Sequence, residues 1–186
     1  MSGDHTSIPL STSGHTALDV SIKVAKEGGN IIRDRFLTEK KISFKGRSDI
    51  VTDVDVEVEN LVLGKLKYEY PDFSVLAEES APIQTTSEYT WVIDPIDGTQ
   101  SFIAGHKDFG TLIALLHNKK PILGIINCPA HQERWIGIHN QPTTLNGNLT
   151  KTSQVQKVKD SCVFTSGLYF EDNEFKIGFD KIKQRT

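Results

Sequence analysis

The chain has 186 residues, 37% hydrophobic and 24% charged, which bounds it to one domain or one and a fraction with an ordinary soluble core. Its formal net charge is -3 and no Lys/Arg run exceeds Lys40-Lys41 or Lys119-Lys120, which argues against nucleic-acid binding by general electrostatics. No apolar run approaches the roughly 18 residues of a membrane span, the start has no signal-peptide pattern, and Cys128 and Cys162 stand too far apart for a zinc cluster or redox pair; the expectation is a reduced, cytoplasmic protein with no membrane contact.

Residues 1–14 read as a mobile start. Leu18, Ile22, Ala25, Ile32 and Phe36 then recur at helical spacing, with Ser13 or Thr16 as cap, and predict a long helix. Gly28-Gly29 weakens that helix by about 1 kcal/mol per glycine relative to alanine, so the pair reads as a close helix contact or as a loop. After the polar loop Lys45-Gly46-Arg47-Ser48, a second helix is expected from Asp53 to Tyr70. It carries Val54, Val58, Leu61, Val62 and Leu66 on one face, has Thr52 as cap, and ends at Pro71. Taken alone, Asp55 in its first turn reads as a residue that complements the helix dipole.

Phe73-Ser74-Val75-Leu76-Ala77 is strand-like and ends in Glu78-Glu79, then Ser80. The apolar run Trp91-Val92-Ile93 leads into Asp94-Pro95-Ile96-Asp97-Gly98-Thr99. Pro95 cannot donate to a ladder, so pairing is expected to stop there. Gly98 permits a tight turn, and Thr99 opens a short helix through Ile103 whose unpaired N–H groups attract an anion. Strands are expected over Thr111 to Leu116, Ile122 to Asn127 and Glu133 to Ile138, the first two joined by a hairpin-like turn through His117-Asn118-Lys119-Lys120-Pro121. Asn146-Gly147 is a turn signal, and polar sequence follows. The boundary is set there: residues 15–147 form an N-terminal α+β domain that binds metal and phosphate, and residues 148–186 begin a second α/β domain.

Several features carry no such chemistry. The histidines lack His-x-x-x-His spacing, no Gly-x-Gly-x-x-Gly or P-loop pattern occurs, and Trp135 beside Arg134 reads as sheet packing with a solvated charge.

Two strand ends thus carry carboxylates next to an anion-attracting turn. Carboxylates and phosphate repel unless a divalent cation lies between them, which points to a hard oxygen-ligand site for Mg²⁺. Haloacid-dehalogenase-type phosphatases also place paired aspartates at a strand end, with one residue between them. Here Pro95 and Ile96 both intervene, which disfavours an aspartyl-phosphate intermediate.

The run from Trp91 to Thr99, with Ala77-Glu78-Glu79-Ser80 upstream and Asp49-Ile50-Val51-Thr52-Asp53-Val54-Asp55 before the second helix, resembles the inositol-monophosphatase-like family of Mg²⁺-dependent, lithium-sensitive phosphatases. Phe109 to Leu116 and Glu133 to Gly137 look most like the histidinol-phosphate phosphatase branch. The resemblance covers roughly residues 15 to 178. It implies a layered αβαβα sugar-phosphatase fold, in which an N-terminal antiparallel sheet is flanked by two long helices and only the start of the second domain is present.

By the same resemblance, Glu78, Asp94 and the Ile96 carbonyl hold one Mg²⁺, Asp94 and Asp97 hold a second, and Glu78 helps hold a third through water. Asp97, Gly98 and Thr99 receive the phosphate, Thr99 and Asp55 orient and activate the attacking water, and Lys45 lies in a loop over the site. The family's further carboxylate, in a second-domain motif, has no counterpart after Ser166, and Asp180 lacks its context. The implied activity is hydrolysis of a small phosphomonoester, histidinol phosphate first, with inositol monophosphate or a nucleotide or sugar phosphate as alternatives. Li⁺ inhibition and a homodimer are also implied. The reading of another class is a catalytically impaired fragment, or a metal-binding partner of a full-length chain.

Overall fold

Thr16 opens the first helix. In the computed structural model, which describes residues 8–45, 50–162 and 177–181, its hydroxyl accepts from the Asp19 N–H at 3.1 Å and donates to the Asp19 carboxylate. Helix α1 spans Ala17–Arg35, with Asp19 in its first turn and Arg33 and Arg35 in its last, as the helix dipole favours. Its buried face runs through Val20, Ser21, Val24, Ala25, Gly28, Gly29 and Ile32. Leu18, Ile22 and Phe36, expected on the core stripe, are only partly buried. The stripe is rotated because two glycines and a serine count as interior, and their contribution is closeness rather than apolar area. A Cβ on Gly28 would stand 3.1 Å from Val58 Cγ1, and one on Gly29 would stand 2.5 Å from Asn127 Nδ2. The glycine pair is therefore helical and a place of close contact, Gly28 against Val58 and Gly29 against Asn127, and no loop.

Of the start expected to be mobile, residues 1–7 lie outside the described residues. Beyond them, the Pro9 carbonyl accepts from the Ala17 N–H at 2.9 Å, and the Thr12 N–H donates to the Glu69 carbonyl at 2.9 Å.

Strands β1 (Ile42–Phe44) and β2 (Ile50–Thr52) form an antiparallel pair. Helix α2 follows at once, over Asp53–Glu69, capped by Thr52 in a box that Asp55 completes. Val54, Val58, Val62 and Leu66 are buried, and so are Asp55 and Glu59. Phe73 then leads into β3 (Ser74–Ala77) and the chain crosses to β4 (Tyr89–Asp97), which runs parallel to β3. From there α3 (Thr99–Ala104), β5 (Gly110–His117), β6 (Lys120–Cys128), β7 (Glu133–Ile138), β8 (Thr144–Leu145) and β9 (Asn148–Leu149) complete a sheet in the order β3-β4-β5-β6-β7-β8-β9. All pairs beyond β3–β4 are antiparallel, as expected, and the parallel β3 at the edge makes the sheet mixed. The strand-like run 73–77 gave no cue to its partner's direction.

One hairpin is tighter than expected, and another is as expected. Asn118 and Lys119, with φ of 48° and 64°, join β5 to β6 in two residues, so Lys120 and Pro121 belong to the strand. Asn146 and Gly147, with φ of 50° and 83°, join β8 to β9 in the manner of an Asn-Gly hairpin.

Strand alternation sorts the sheet into two faces. Trp91, Ile93, Ile113, Leu115, Leu123 and Ile125 are buried in the core with the helices, while Val92, Asp94, Leu112, Ala114 and Trp135 line the opposite face. Arg134, expected as a solvated charge, is held instead: its Nε donates to Asn127 Oδ1 at 3.0 Å. The chain separates into two compact units, Met1–Thr150 and Lys151–Thr186. Among the described residues of the second, Val158–Asp160 forms a single 3₁₀ turn closed by Ser161. Among the described residues no helix is long and apolar enough to cross a membrane.

Candidate active site

Pairing does not end at Pro95. Asp94 pairs with Leu112 and Asp97 pairs with Gly110, so three steps along β4 match two along β5, and a bulge takes up Pro95 and Ile96. The freed Pro95 carbonyl accepts from the buried Thr111 hydroxyl at 2.9 Å, and the Ile96 carbonyl is met by the Thr99 hydroxyl at 2.9 Å. In a regular strand, residues three apart point to opposite faces. The extra residue brings Asp94 and Asp97 to one side, where the charge of Asp97 acts on Asp94.

Four of the expected carboxylates meet at this strand end. Asp94 shares a side-chain hydrogen bond with Glu78 and feels the charges of Glu78, Asp97 and Asp55. Burial, then Glu78, then the charges of Asp97 and Asp55 push its carboxyl up to about 8. Asp94 Oδ1 is buried with no hydrogen-bond partner. A buried oxygen acceptor without a protein donor, set among acids, suits a hard divalent cation, so the donor set fits such a metal. Among the described residues no three His, Cys, Asp or Glu side chains stand at mutual metal-holding distances, so the fit rests on the oxygen chemistry around Asp94 and not on a preassembled ligand cage.

Asp55 is almost wholly buried, at 1% exposure. Its Oδ2 accepts from the Thr52 N–H at 2.8 Å and from the Thr52 hydroxyl, which fixes the carboxylate to the start of α2. Its Oδ1 faces Thr99, whose Oγ1 lies 3.1 Å away. The cap agrees with Asp55 as an acid suited to a helix start, and its other oxygen is turned toward Thr99. Gly98, at φ 84°, makes the left-handed turn into α3, and a Cβ there would stand 2.6 Å from the Asp108 carbonyl oxygen.

Three supporting residues stand beside these, of which Glu59 and Thr111 escaped the sequence reading. Glu59, 1% exposed, accepts from the Glu79 N–H at 2.7 Å and from the Ser80 hydroxyl, and so anchors the acidic turn after β3. Its signal was present: Glu59 falls four residues after Asp55, between Val58 and Val62 on the buried side of α2. Lys45 forms an ion pair with Glu79 and donates to the Glu78 carbonyl at 3.2 Å. Burial still pushes the Glu79 carboxyl up against the pull of Lys45. Thr111, the third, ties the bulge to β5. The remainder of the loop, Gly46, Arg47 and Ser48, lies outside the described residues, as does Asp49.

The chain is similar to known proteins. Residues 15–184 match the model of the inositol monophosphatase family. The chain is 34% identical over 165 residues to the bifunctional phosphatase IMPL2, chloroplastic, of Arabidopsis thaliana, covering 88% of this chain and 48% of that protein. It is 35% identical over 147 residues to inositol monophosphatase 3 of Solanum lycopersicum, covering 76% and 55%. Among solved structures, an inositol monophosphatase from Zymomonas mobilis superposes with a TM-score of 0.77 at 35% identity, covering 90% of this chain and 65% of that one. The chain spans about half the length of the curated relatives it matches. With a matched segment that takes in every carboxylate at the bulged strand end, this chain belongs to the inositol monophosphatase family.

Proposed function

We propose that the chain carries the metal- and phosphate-binding site of a Mg²⁺-dependent phosphomonoesterase whose substrate is a small polyol phosphate, inositol monophosphate first. The observation that carries this reading is the buried, unpartnered Asp94 Oδ1 beside the Asp55–Thr99 contact. Glu78, Asp94 and the Ile96 carbonyl would hold one metal ion, and Asp94 with Asp97 a second. Bound there, the metals would lower the pKa of the attacking water and neutralise charge on the departing oxygen.

The chain's own residues supply position and proton handling. With its hydroxyl proton given to Asp55 Oδ1, Thr99 Oγ1 presents a lone pair that can accept from a water and hold it in line with phosphorus. Asp55 then receives the proton through the Thr99 hydroxyl. The Gly98 turn directs the Thr99 backbone N–H and its neighbours at the phosphate oxygens. Lys45 holds the acidic turn that carries Glu78.

The relatives named above support inositol monophosphate over histidinol phosphate, the ester suggested by Phe109 to Leu116 and Glu133 to Gly137. The homodimer and Li⁺ inhibition stay part of the reading by family likeness. A cytoplasmic setting suits two free thiols, Cys128 and Cys162, while a relative named chloroplastic makes an organelle the competing compartment.

The test is phosphate release from inositol monophosphate and from histidinol phosphate by the purified chain, with and without Mg²⁺, beside Asp94→Ala. Mg²⁺-dependent release lost in the variant supports the reading, and the faster ester names the substrate. A folded chain that binds Mg²⁺ and releases nothing from either ester overturns it in favour of a metal-binding fragment.

A further inference from the structure

We infer that the chain has a second anion site, away from the acidic strand end, in the cleft between α1 and the β6–β7 turn, and that its ligand is a small phosphate-bearing anion. The cleft measures about 260 Å³ and is lined by Lys26, Arg33, Arg134, Asn30, Asn127 and Gln132, among others. It shares no residue with the site of Asp55, Glu78, Asp94, Asp97 and Thr99. In a chain of net charge -3, three cations against the single acid Glu133 make this a local reversal of sign.

None of the three cations has a carboxylate within ion-pair distance among the described residues, where Arg35, Lys45 and Lys65 each do. Glu133 is turned toward Trp135, whose Nε1 donates to its Oε2 at 3.4 Å.

The cleft is built rather than incidental. Asn127 is 5% exposed, and its two ends are committed: Nδ2 donates to the Ala25 carbonyl at 3.1 Å, and Oδ1 accepts from Arg134 Nε at 3.0 Å. That leaves the two terminal nitrogens of Arg134 without a protein acceptor among the described residues, and a guanidinium so fixed loses little freedom on taking two oxygens of a phosphate. Arg33 is steadied in the same way by Asn30 Oδ1 at 3.1 Å, and Lys26 adds a mobile ammonium. A volume near 260 Å³ holds a phosphate or small phosphomonoester and is too small for a macromolecular surface. Amides from Asn30 and Gln132 suit the hydroxyl or ester oxygens of such a ligand.

The experiment is an NMR titration of the ¹⁵N-labelled full chain with inorganic phosphate, in chelator, at constant ionic strength balanced with chloride. Without divalent metal the carboxylates of the strand end repel phosphate, so a response there is separable from one in the cleft. The expected result is a saturable shift at the amides of Lys26, Arg33, Asn127 and Arg134. Arg33→Gln, on the surface of α1, should weaken it about tenfold, the loss expected for one charge-assisted hydrogen bond, and Arg134→Gln as much or more. Asp97→Asn should leave it unchanged. No saturable shift in the cleft, a shift that chloride reproduces, or one that survives both Arg33→Gln and a folded Arg134→Gln overturns the inference.

Discussion

Thr99 Oγ1 and Asp55 Oδ1 lie 3.1 Å apart, so the first turn of α3 is tied to the first turn of α2 by a contact spanning 44 residues of sequence. The two oxygens of one carboxylate divide the labour, Oδ2 holding the helix cap and Oδ1 addressing the site.

That division predicts separable effects. Asp55→Asn keeps an oxygen for the cap but removes the charge, so it should lower phosphate release by at least about a hundredfold. Its stability should fall by no more than the about 0.5–2 kcal/mol of a lost cap. Thr99→Ser should retain most activity and Thr99→Val should not. Initial rates and thermal unfolding of the three variants check this, and equal rates for Thr99→Val and Thr99→Ser would sink the assigned role.

Gly98→Ala places a Cβ 2.6 Å from a backbone carbonyl at a φ of 84°, where nothing can swing aside. A loss of about 1–3 kcal/mol in denaturant unfolding is expected, with phosphate release falling further because Thr99 moves with the turn.

Helix glycines should differ in sign. Gly64, in α2, has open space around its missing Cβ, so Gly64→Ala should stabilise by about 0.5–1 kcal/mol. Gly28→Ala gains the same propensity but presses on Val58 at 3.1 Å, and the two effects should nearly cancel. Gly29→Ala would meet Asn127 Nδ2 at 2.5 Å and displace its bond to Ala25, with a net loss of about 1–3 kcal/mol. Denaturation midpoints of the three variants order them.

The Asp94 carboxyl, pushed up to about 8 by burial and its acidic neighbours, makes stability depend on pH. Because its folded pKa lies above the ordinary 3.8, the folded state holds the proton more tightly. In chelator, stability should therefore fall as pH rises from about 4 to about 8 and level off above. Asp94→Asn should flatten the slope, and Mg²⁺, competing with the proton, should lift stability most at the alkaline end. Urea midpoints across this range decide it, and a slope unchanged in Asp94→Asn would overturn it.

Much of this fold was legible. Both helices, their caps at Thr16 and Thr52, and the strands around Trp91, Ile113, Ile125 and Trp135 follow from period and capping chemistry that act over a few residues. The acids of the site were legible as residue types at strand ends. What escaped depends on distant partners. The parallel direction of β3 is set by β4, and the role of Glu59 by a turn 20 residues later. Arg134 looked solvated because Asn127, its partner, is adjacent only through strand pairing.

The bulge at Pro95-Ile96 has a consequence for insertions and deletions. Spacing of three between Asp94 and Asp97 gives a shared face only while the extra residue is present. Removing either Pro95 or Ile96 would restore plain pairing and still leave both acids on one side, but it would take away one of the two carbonyls that Thr111 and Thr99 meet. Adding one residue would send Asp97 to the far side of the sheet. A residue added between these two aspartates would therefore separate the acids even where both are retained, so the residue count between them matters alongside their identity.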